Sequence, residues 1–208
     1  MKFNSDVDID FGNRNEILEV VPHIAAAMRN VKPIRKHATG VYVTNIPYDP
    51  EHDMCSMDYT VAEKRGYFKL DLLNVHVYSH IKDEDHLIQL MREPDWSKLK
   101  DKKFVDNLIH LNNQYYALQQ MPEPVNSIPR LSMFLALIRP GKKHLIGKPW
   151  SEVAKTVWDK TEDGYIFKRS HSCAYAHLVV VHANLLEERF KIEGTYELNP
   201  INSIFSLE

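Results

Sequence analysis

The stretch with the clearest chemical potential lies near the start of the 208-residue chain, where three aspartates alternate with three apolar residues at positions 6–11. Alternate side chains of a strand share a face, so Asp6, Asp8 and Asp10 would lie on one side while the apolar residues pack on the other. Carboxylates at this spacing repel one another unless cations lie between them. The motif alone is compatible with divalent metal binding and with a solvated edge strand whose charge discourages aggregation.

An EF-hand loop begins with the same alternation of aspartates, but it requires Gly at its sixth position and Glu at its twelfth. This chain has Phe11 and Ile17 at those positions. The motif is therefore not an EF-hand.

A second acidic strand is predicted at residues 66–72, where apolar and aromatic residues flank Asp71. Lys69 lies two residues before Asp71 and would share its face. This lysine could neutralise a phosphate, or it could form a salt bridge with the acidic cluster.

The composition describes a chain that can bury a core, with 44% hydrophobic and 26% charged residues. Its residues show neither a run long enough for a membrane span nor the hydrophobic region of a signal peptide, which predicts a cytoplasmic protein with no membrane partner. Cys55 and Cys173 lie far apart without metal-ligand spacing, which argues against a disulfide framework or a zinc site. The net charge is -2, but basic residues cluster at 29–36, 139–148 and 168–169, a distribution suited to holding polyphosphate beside metal.

The order of predicted elements is sheet first and helices afterwards, which indicates an α+β fold. Helices are expected at 14–21, 23–29, 80–91, 102–120, 131–138, 149–159 and 172–190, and strands at 6–11, 40–46, 54–60 and 66–72. We place the boundary between a first lobe and a helical second lobe at residues 98 and 99.

Four separated stretches occur in one order along the chain. They are residues 6–11 followed by Arg14, residues 37–43 (His-Ala-Thr-Gly-Val-Tyr-Val), residues 66–73 (Gly-Tyr-Phe-Lys-Leu-Asp-Leu-Leu), and the pair 136–141 (Ala-Leu-Ile-Arg-Pro-Gly) and 167–176 (Phe-Lys-Arg-Ser-His-Ser-Cys-Ala-Tyr-Ala). Together they resemble motifs of the bacterial replicative DNA polymerase III alpha subunit, a family C DNA polymerase. The chain looks like a much-shortened palm and fingers version, a compaction that would suit a phage-encoded gene.

The resemblance implies a polymerase-beta-like nucleotidyltransferase palm over residues 1–98 and a fingers-like lobe over 99–208. In the family, an Asp-x-Asp pair and a third aspartate on a neighbouring strand bind two metal ions. Position by position, these implied catalytic residues and metal ligands fall on Asp6, Asp8 and Asp71, with Asp10 as an additional candidate ligand. Oxygen ligands suit Mg²⁺ or Mn²⁺, and two such ions can activate a 3′ hydroxyl and stabilise leaving pyrophosphate.

Basic and polar residues of the later motifs match family positions near the incoming nucleotide. The implied nucleotide-binding residues are Lys69, Arg139, Lys168, Arg169, Ser170 and His171. Arginine can bind phosphate oxygens through two donors, and serine and histidine add further donors. Without the resemblance, a solvated basic helix start would explain the residues from 168 onward.

The expected function is therefore that of a miniature DNA polymerase or nucleotidyltransferase that adds dNMP to a nucleic-acid 3′ end, with DNA, dNTP and other replication proteins as partners. The five residues before Asp6 do not include the Gly-Ser-rich helix start that binds the triphosphate in the family. That departure keeps open a catalytically incomplete accessory protein that binds nucleic acid, nucleotide or a replication partner. A metal-dependent nuclease is a third interpretation, since two metals on carboxylates also serve phosphodiester hydrolysis.

Overall fold

The computed structural model describes residues 6–161 and 167–196, except for the side chain of Asp6. The chain forms two compact units that divide between His80 and Ile81, earlier than the expected boundary at residue 98. Residues after 80 belong to the second unit because the Asn184 side chain donates hydrogen bonds of 2.8 and 2.9 Å to the carbonyl oxygens of Leu90 and Arg92. These bonds fix the end of the helix Glu84–Leu90 within the helical unit.

The first unit contains a four-stranded mixed sheet with the order β1-β6-β3-β2. Strand β1 pairs in parallel with β6, whereas β3 runs antiparallel to both β6 and β2. A small β4-β5 hairpin, two helices and the 3₁₀ turn His76–His80 complete the described part of this unit. The elements are β1 (Asp6–Phe11), α1 (Arg14–Val20), β2 (Ile24–Met28), β3 (Arg35–Tyr42), β4 (Tyr48–Asp49), β5 (Met54–Cys55), α2 (Tyr59–Lys64) and β6 (Lys69–Asn74).

Strand β2 corrects the expectation of a helix at 23–29. Its alanines are good helix formers, but Ala26 and Ala27 are fully buried where β2 pairs with β3. A Cβ atom added to Gly40 of β3 would lie 3.2 Å from the Ala26 Cβ atom, so the residues here are small because the packing is close. Tertiary packing thus overrides helix propensity. The predicted strand at 54–60 is likewise shorter, since α2 begins at Tyr59.

The apolar face of β1 packs less completely than the sequence suggested. Val7 and Ile9 remain 44% and 37% exposed, while Phe11 is half-buried. This exposure follows from the position of β1 at the edge of the sheet. The buried core of the unit lies farther along the chain, around Tyr42, Met54 and Ala62.

The second unit is helical and has its own apolar core, centred on α6 and α8. The Ser172 hydroxyl of α8 donates a 2.6 Å hydrogen bond to the Ser132 carbonyl oxygen of α6. Its helices are α3 (Glu84–Leu90), α4 (Lys102–Asn107), α5 (Tyr115–Gln119), α6 (Ile128–Leu137), α7 (Trp150–Thr156) and α8 (Arg169–Glu193). In the described ranges, none of the helices has the length and apolarity needed to cross a membrane. The mixed sheet followed by helices agrees with the predicted α+β class.

The single helix predicted at 102–120 is wrong, because the chain breaks between α4 and α5. His110 and Asn113 adopt positive φ angles of 62° and 63°, which no α-helix contains. The Ile109 backbone N–H donates to Nδ1 of the buried His182 at 3.0 Å. A long-range side-chain acceptor thus replaces the next helical hydrogen bond.

Asp58 connects α2 to the sheet from a position only 6% exposed. One of its carboxylate oxygens accepts hydrogen bonds from the backbone N–H groups of Arg29 and Asn30, at 2.8 and 3.2 Å. The other accepts from the Thr60 backbone N–H and hydroxyl, at 3.0 and 2.6 Å, and so caps α2. Burial raises the pKa of Asp58, but these donors outweigh it and the pKa lies below its ordinary value.

We expect Asp58→Ala to destabilise the first unit by about 2–3 kcal/mol, because it removes a helix cap and leaves buried donors unpaired. Trp96, Trp150 and Trp158 all lie in the second unit, so tryptophan fluorescence would not report this change. Hydrogen exchange of peptides covering residues 24–42 measures it directly. Asp85→Ala, at an exposed position of α3, is the matched control and should leave this exchange unchanged. Equal exchange in the two variants would contradict the assigned role.

Candidate functional site

Parallel pairing of β1 with β6 places two of the predicted carboxylates side by side. Asp8 lies directly opposite Asp71 in the register, Asp6 lies opposite Lys69, and Asp10 lies opposite Leu73. Residues in register on paired parallel strands project to the same face, with the strands about 4.8 Å apart. Asp8, Asp10 and Asp71 therefore share one face of the sheet. The backbone of Asp6 continues that row, and its side chain lies outside the described residues.

Asp71 is the most enclosed of the described carboxylates of this row, at 7% exposure. Its Oδ2 atom is in contact with the Lys69 ammonium group, which forms an ion pair with it. Its Oδ1 atom accepts a 2.7 Å hydrogen bond from the Thr39 hydroxyl of β3. Both oxygens thus have a fixed partner, which holds the carboxylate in one orientation.

His37 lies beside the same carboxylate, with Nδ1 3.6 Å from Asp71 Oδ1. This nitrogen accepts a hydrogen bond of 2.9 Å from the Gly40 backbone N–H, so it carries no proton and the imidazole is neutral. Burial and the Lys69 ammonium group lower the pKa of His37, and this outweighs the opposing effect of Asp71. His37 therefore shapes the β3 backbone rather than supplying a cation to Asp71.

The row of carboxylates has an uneven electrostatic environment. Burial raises the pKa of Asp71, but the hydrogen bonds from Lys69 and Thr39 outweigh it, and the pKa lies below its ordinary value. For Asp10, partial removal from water raises the pKa, and the Asp8 carboxylate raises it further. The Lys69 ammonium group thus balances Asp71, whereas Asp8 and Asp10 repel each other.

These residues fit a divalent cation of the Mg²⁺ or Mn²⁺ class. Asp8 is exposed and in register with Asp71, and both supply hard oxygen ligands. The Asp8 carboxylate also contributes to the raised pKa of Asp10, so these two acidic groups repel each other. An added cation would relieve the repulsion between the carboxylates, in competition with Lys69 for Asp71.

A different set of potential ligands occurs at the β4-β5 hairpin. The ligand atoms of Asp49, Glu51 and His52 lie within 4.8 Å of one another. However, Asp49 forms an ion pair with Arg29. The hydrogen bond from Arg29 has the largest effect on the pKa of Asp49 and lowers it, and hydrogen bonds from residues 51 and 52 lower it further. The Arg29 pair and these hydrogen bonds account for the position of Asp49, so the cluster is explained as an ion-paired hairpin.

The remaining predicted nucleotide-binding residues lie in the second unit. Lys168 is the N-cap residue of α8, and Arg169, Ser170 and His171 form its first turn. Arg139 follows α6, and its guanidinium carbon lies 4.8 Å from the centroid of the Phe167 ring. The structure thus brings Arg139 to the start of α8, where the helix dipole favours anions.

Aromatic rings around this helix start include His110 and Tyr175, which were not among the predicted site residues. Tyr175 is half-buried, and its ring stacks on Phe167 at 6.0 Å and lies 4.5 Å from His110. Burial, followed by the charge of Arg139, lowers the pKa of His110. The sequence signal for this cluster is the spacing of His171 and Tyr175, which are four residues apart on one face of α8, whereas Phe167 precedes the helix.

In the first unit, the sequence did not predict that Thr39 contacts Asp71. It occupies the third position of the His-Ala-Thr-Gly stretch, and no property of a lone threonine indicates a carboxylate partner on another strand. Its neighbour Gly40 lies opposite Asp71 in the antiparallel register of β3 and β6. The hydrogen bond from the Thr39 hydroxyl to Asp71 is therefore evident only from the structure.

Comparison of the chain with protein-family models, curated proteins and solved structures found no match.

The lowered pKa of Asp71 predicts an acid-sensitive sheet. A carboxyl group whose pKa is lower in the folded than in the unfolded state stabilises the fold above the unfolded pKa of about 3.9, and this contribution is lost as the pH falls through the folded value. We therefore expect the stability of the wild-type sheet to fall more steeply than that of Asp71→Asn as the pH drops below about 4. Urea unfolding at several pH values, monitored by hydrogen exchange of residues 69–74, measures how steeply the stability of each variant changes with pH. Parallel slopes would contradict the prediction, and Asp85→Asn should retain the wild-type slope.

Proposed function

We propose that the chain is a compact nucleotidyltransferase of the family C type, which adds dNMP to a DNA 3′ end using Mg²⁺ or Mn²⁺. The observation that carries this proposal is the direct opposition of Asp8 and Asp71 on adjacent parallel strands. An Asp-x-Asp strand beside a third aspartate is the arrangement that the sequence resemblance implies for a polymerase-beta-like palm. The register was not used in drawing that resemblance, so it supports the proposal independently.

In this proposal, Asp6, Asp8 and Asp71 hold the metal ions, with Asp10 as a further ligand or a source of negative potential. When bound, two such ions supply activation of the 3′ hydroxyl and charge stabilisation at the leaving pyrophosphate. Thr39 acts as a positioning residue, because its hydroxyl fixes one oxygen of Asp71. Lys69 serves as the resident cation of Asp71 and becomes available to a phosphate when it is displaced.

The second unit contributes the anion-binding residues of the proposed enzyme. The positive end of a 25-residue helix, which favours anions, lies at Lys168, Arg169, Ser170 and His171. Arg139 is stacked on Phe167, an arrangement that suits a forked contact with phosphate oxygens. We assign these residues to the triphosphate of dNTP.

Primer extension tests the proposed activity. We expect incorporation of labelled dNMP in Mg²⁺ or Mn²⁺ and a loss of at least about 10²-fold in Asp8→Asn and Asp71→Asn, because each removes charge that holds a metal. Asp85→Asn, which alters an exposed acid of the second unit, should extend normally. Full activity in a folded Asp71→Asn variant would reject the assigned centre. Incubation of labelled DNA without dNTP distinguishes a nuclease, which would shorten the strand.

Metal binding in the absence of nucleotide tests the role of Lys69. Its ammonium group and a metal ion compete for Asp71, so we expect the Lys69→Gln variant to bind Mn²⁺ more tightly than the wild type. The affinity should rise by roughly tenfold for each 1.4 kcal/mol that displacing the lysine costs in the wild type. Electron paramagnetic resonance of free Mn²⁺ measures the affinity. Lys64→Gln, at an exposed position at the end of α2, is the matched control for lost charge. Weaker binding in Lys69→Gln than in Lys64→Gln would contradict the competition.

A binding protein without turnover is the second candidate function. It is favoured by the Lys69–Asp71 ion pair, since a carboxylate with its own permanent cation does not require metal for stability. Calorimetric titration separates the two candidates. Metal-dependent binding of dNTP without incorporation would favour the accessory protein, whereas incorporation favours the polymerase.

A further inference from the structure

We propose that His76 and His80 form a second cation site, selective for a transition metal such as Zn²⁺, Ni²⁺ or Cu²⁺. Both residues lie on the 3₁₀ turn that follows β6. Their Nε2 atoms are 3.2 Å apart, with the ring centroids at 4.8 Å and the rings nearly perpendicular. Imidazole nitrogen suits these metals, while the carboxylate row of the sheet suits Mg²⁺ or Mn²⁺.

The separation of the two nitrogens matches the geometry of a chelate. Zinc–imidazole bonds are about 2.0–2.1 Å long, so two such ligands lie about 3.4 Å apart at a tetrahedral angle and about 2.9 Å apart at a right angle. The observed 3.2 Å lies between these limits. The rings therefore need only a small adjustment to bind one ion between them, with water completing the coordination.

Ser79 orients His76 in the form that binds a metal. The serine hydroxyl donates a 2.7 Å hydrogen bond to the His76 carbonyl oxygen, so at 3.3 Å from Nδ1 its oxygen serves as the acceptor. We therefore assign the His76 proton to Nδ1 and the lone pair to Nε2. Such a hydrogen bond to the second ring nitrogen is the usual support of a metal-bound histidine.

In the metal-free state, the His80 Nε2–H group donates to the His76 Nε2 lone pair. Metal binding replaces this shared proton. His80 changes to the tautomer that carries its proton on Nδ1, by exchange with solvent, and the freed Nε2 lone pair bonds to the metal. This exchange of a proton for a metal ion requires neither an oxidant nor a reductant.

The turn that carries the pair is fixed from both sides. The Val75 backbone N–H donates to the Phe11 carbonyl oxygen at 2.7 Å, and Val77 is buried at 4% exposure. A Cβ atom added to Gly12 would lie 2.9 Å from the Ser79 backbone nitrogen, so the residue that follows β1 approaches the turn closely. The two imidazoles therefore have little backbone freedom to lose on binding, which favours affinity.

Zinc titration by calorimetry, in excess Mg²⁺ to occupy the carboxylates, tests the site in the full chain. We expect one Zn²⁺ per chain, with affinity reduced by roughly tenfold or more in His76→Gln and His80→Gln and by roughly tenfold in Ser79→Ala. His52→Gln is the matched control, because it removes the histidine of the β4-β5 cluster and should leave binding unchanged. Unchanged binding in both His76→Gln and His80→Gln, or a loss in His52→Gln, would overturn the assignment.

A spectroscopic measurement keeps the test decisive if one variant folds poorly. Cu²⁺ bound to the wild-type chain should show electron paramagnetic resonance coupling to two imidazole nitrogens, and to one in whichever single variant is folded. Coupling that is the same in the wild type and in that variant would reject the pair. Metal-free thermal unfolding confirms that each variant is folded before titration.

Discussion

Parallel pairing of β1 with β6 determines where the charges of the first unit meet. A shift of the register by one residue would turn Asp71 to the opposite face and place Leu70 or Leu72 beside Asp8. Because Leu72 is buried at 5% exposure, such a shift would also expose apolar surface. The hydrophobic pattern of β6 therefore fixes the position of the Asp71 carboxylate.

The negative charge of Asp71 is balanced within the sheet by neighbouring side chains. Burying an ionised carboxylate without partners costs several kcal/mol, and Asp71 avoids that cost through Lys69 and Thr39. The lysine reaches Asp71 because residue 40 lacks a side chain, since a Cβ atom there would lie 2.8 Å from Lys69 Cδ. Gly40 thus provides the space for the cation that stabilises Asp71. The sheet can exist without metal, and any metal must displace an existing contact.

Sequence patterns predicted the elements whose periodicity is set locally. The helices that became α1, α6 and α8 and the two acidic strands follow from apolar spacing and caps. Strand β2 could not be predicted in this way, because Ala26 and Ala27 have their conformation imposed by β3 and a buried neighbourhood. The break near His110 was also hidden, since its cause is an acceptor on His182, far along the chain.

The candidate site shows the same division between local and long-range causes. Alternation alone placed the aspartates of residues 6–11 on one face, and the resemblance named Asp71 as their partner. The register between β1 and β6, and the hydroxyl of Thr39, depend on residues far apart in the sequence and required the structure.

In the helical unit, two arginine side chains contact aromatic rings. Arg139 is held over Phe167, and Phe167 stacks on Tyr175, so the guanidinium group is oriented by ring contacts rather than by a carboxylate. Arg169 lies 5.8 Å from the Trp158 ring in a similar arrangement. A cation held by an aromatic face keeps its full positive charge, whereas one paired with a carboxylate does not. Contacts of this kind limit the rotamers of the arginine side chain, so less rotamer entropy would be lost if the side chain bound an anion. The two units thus treat charge in different ways: in the sheet Lys69 and Thr39 balance the buried Asp71, and near the start of α8 Arg139 and Arg169 contact aromatic rings.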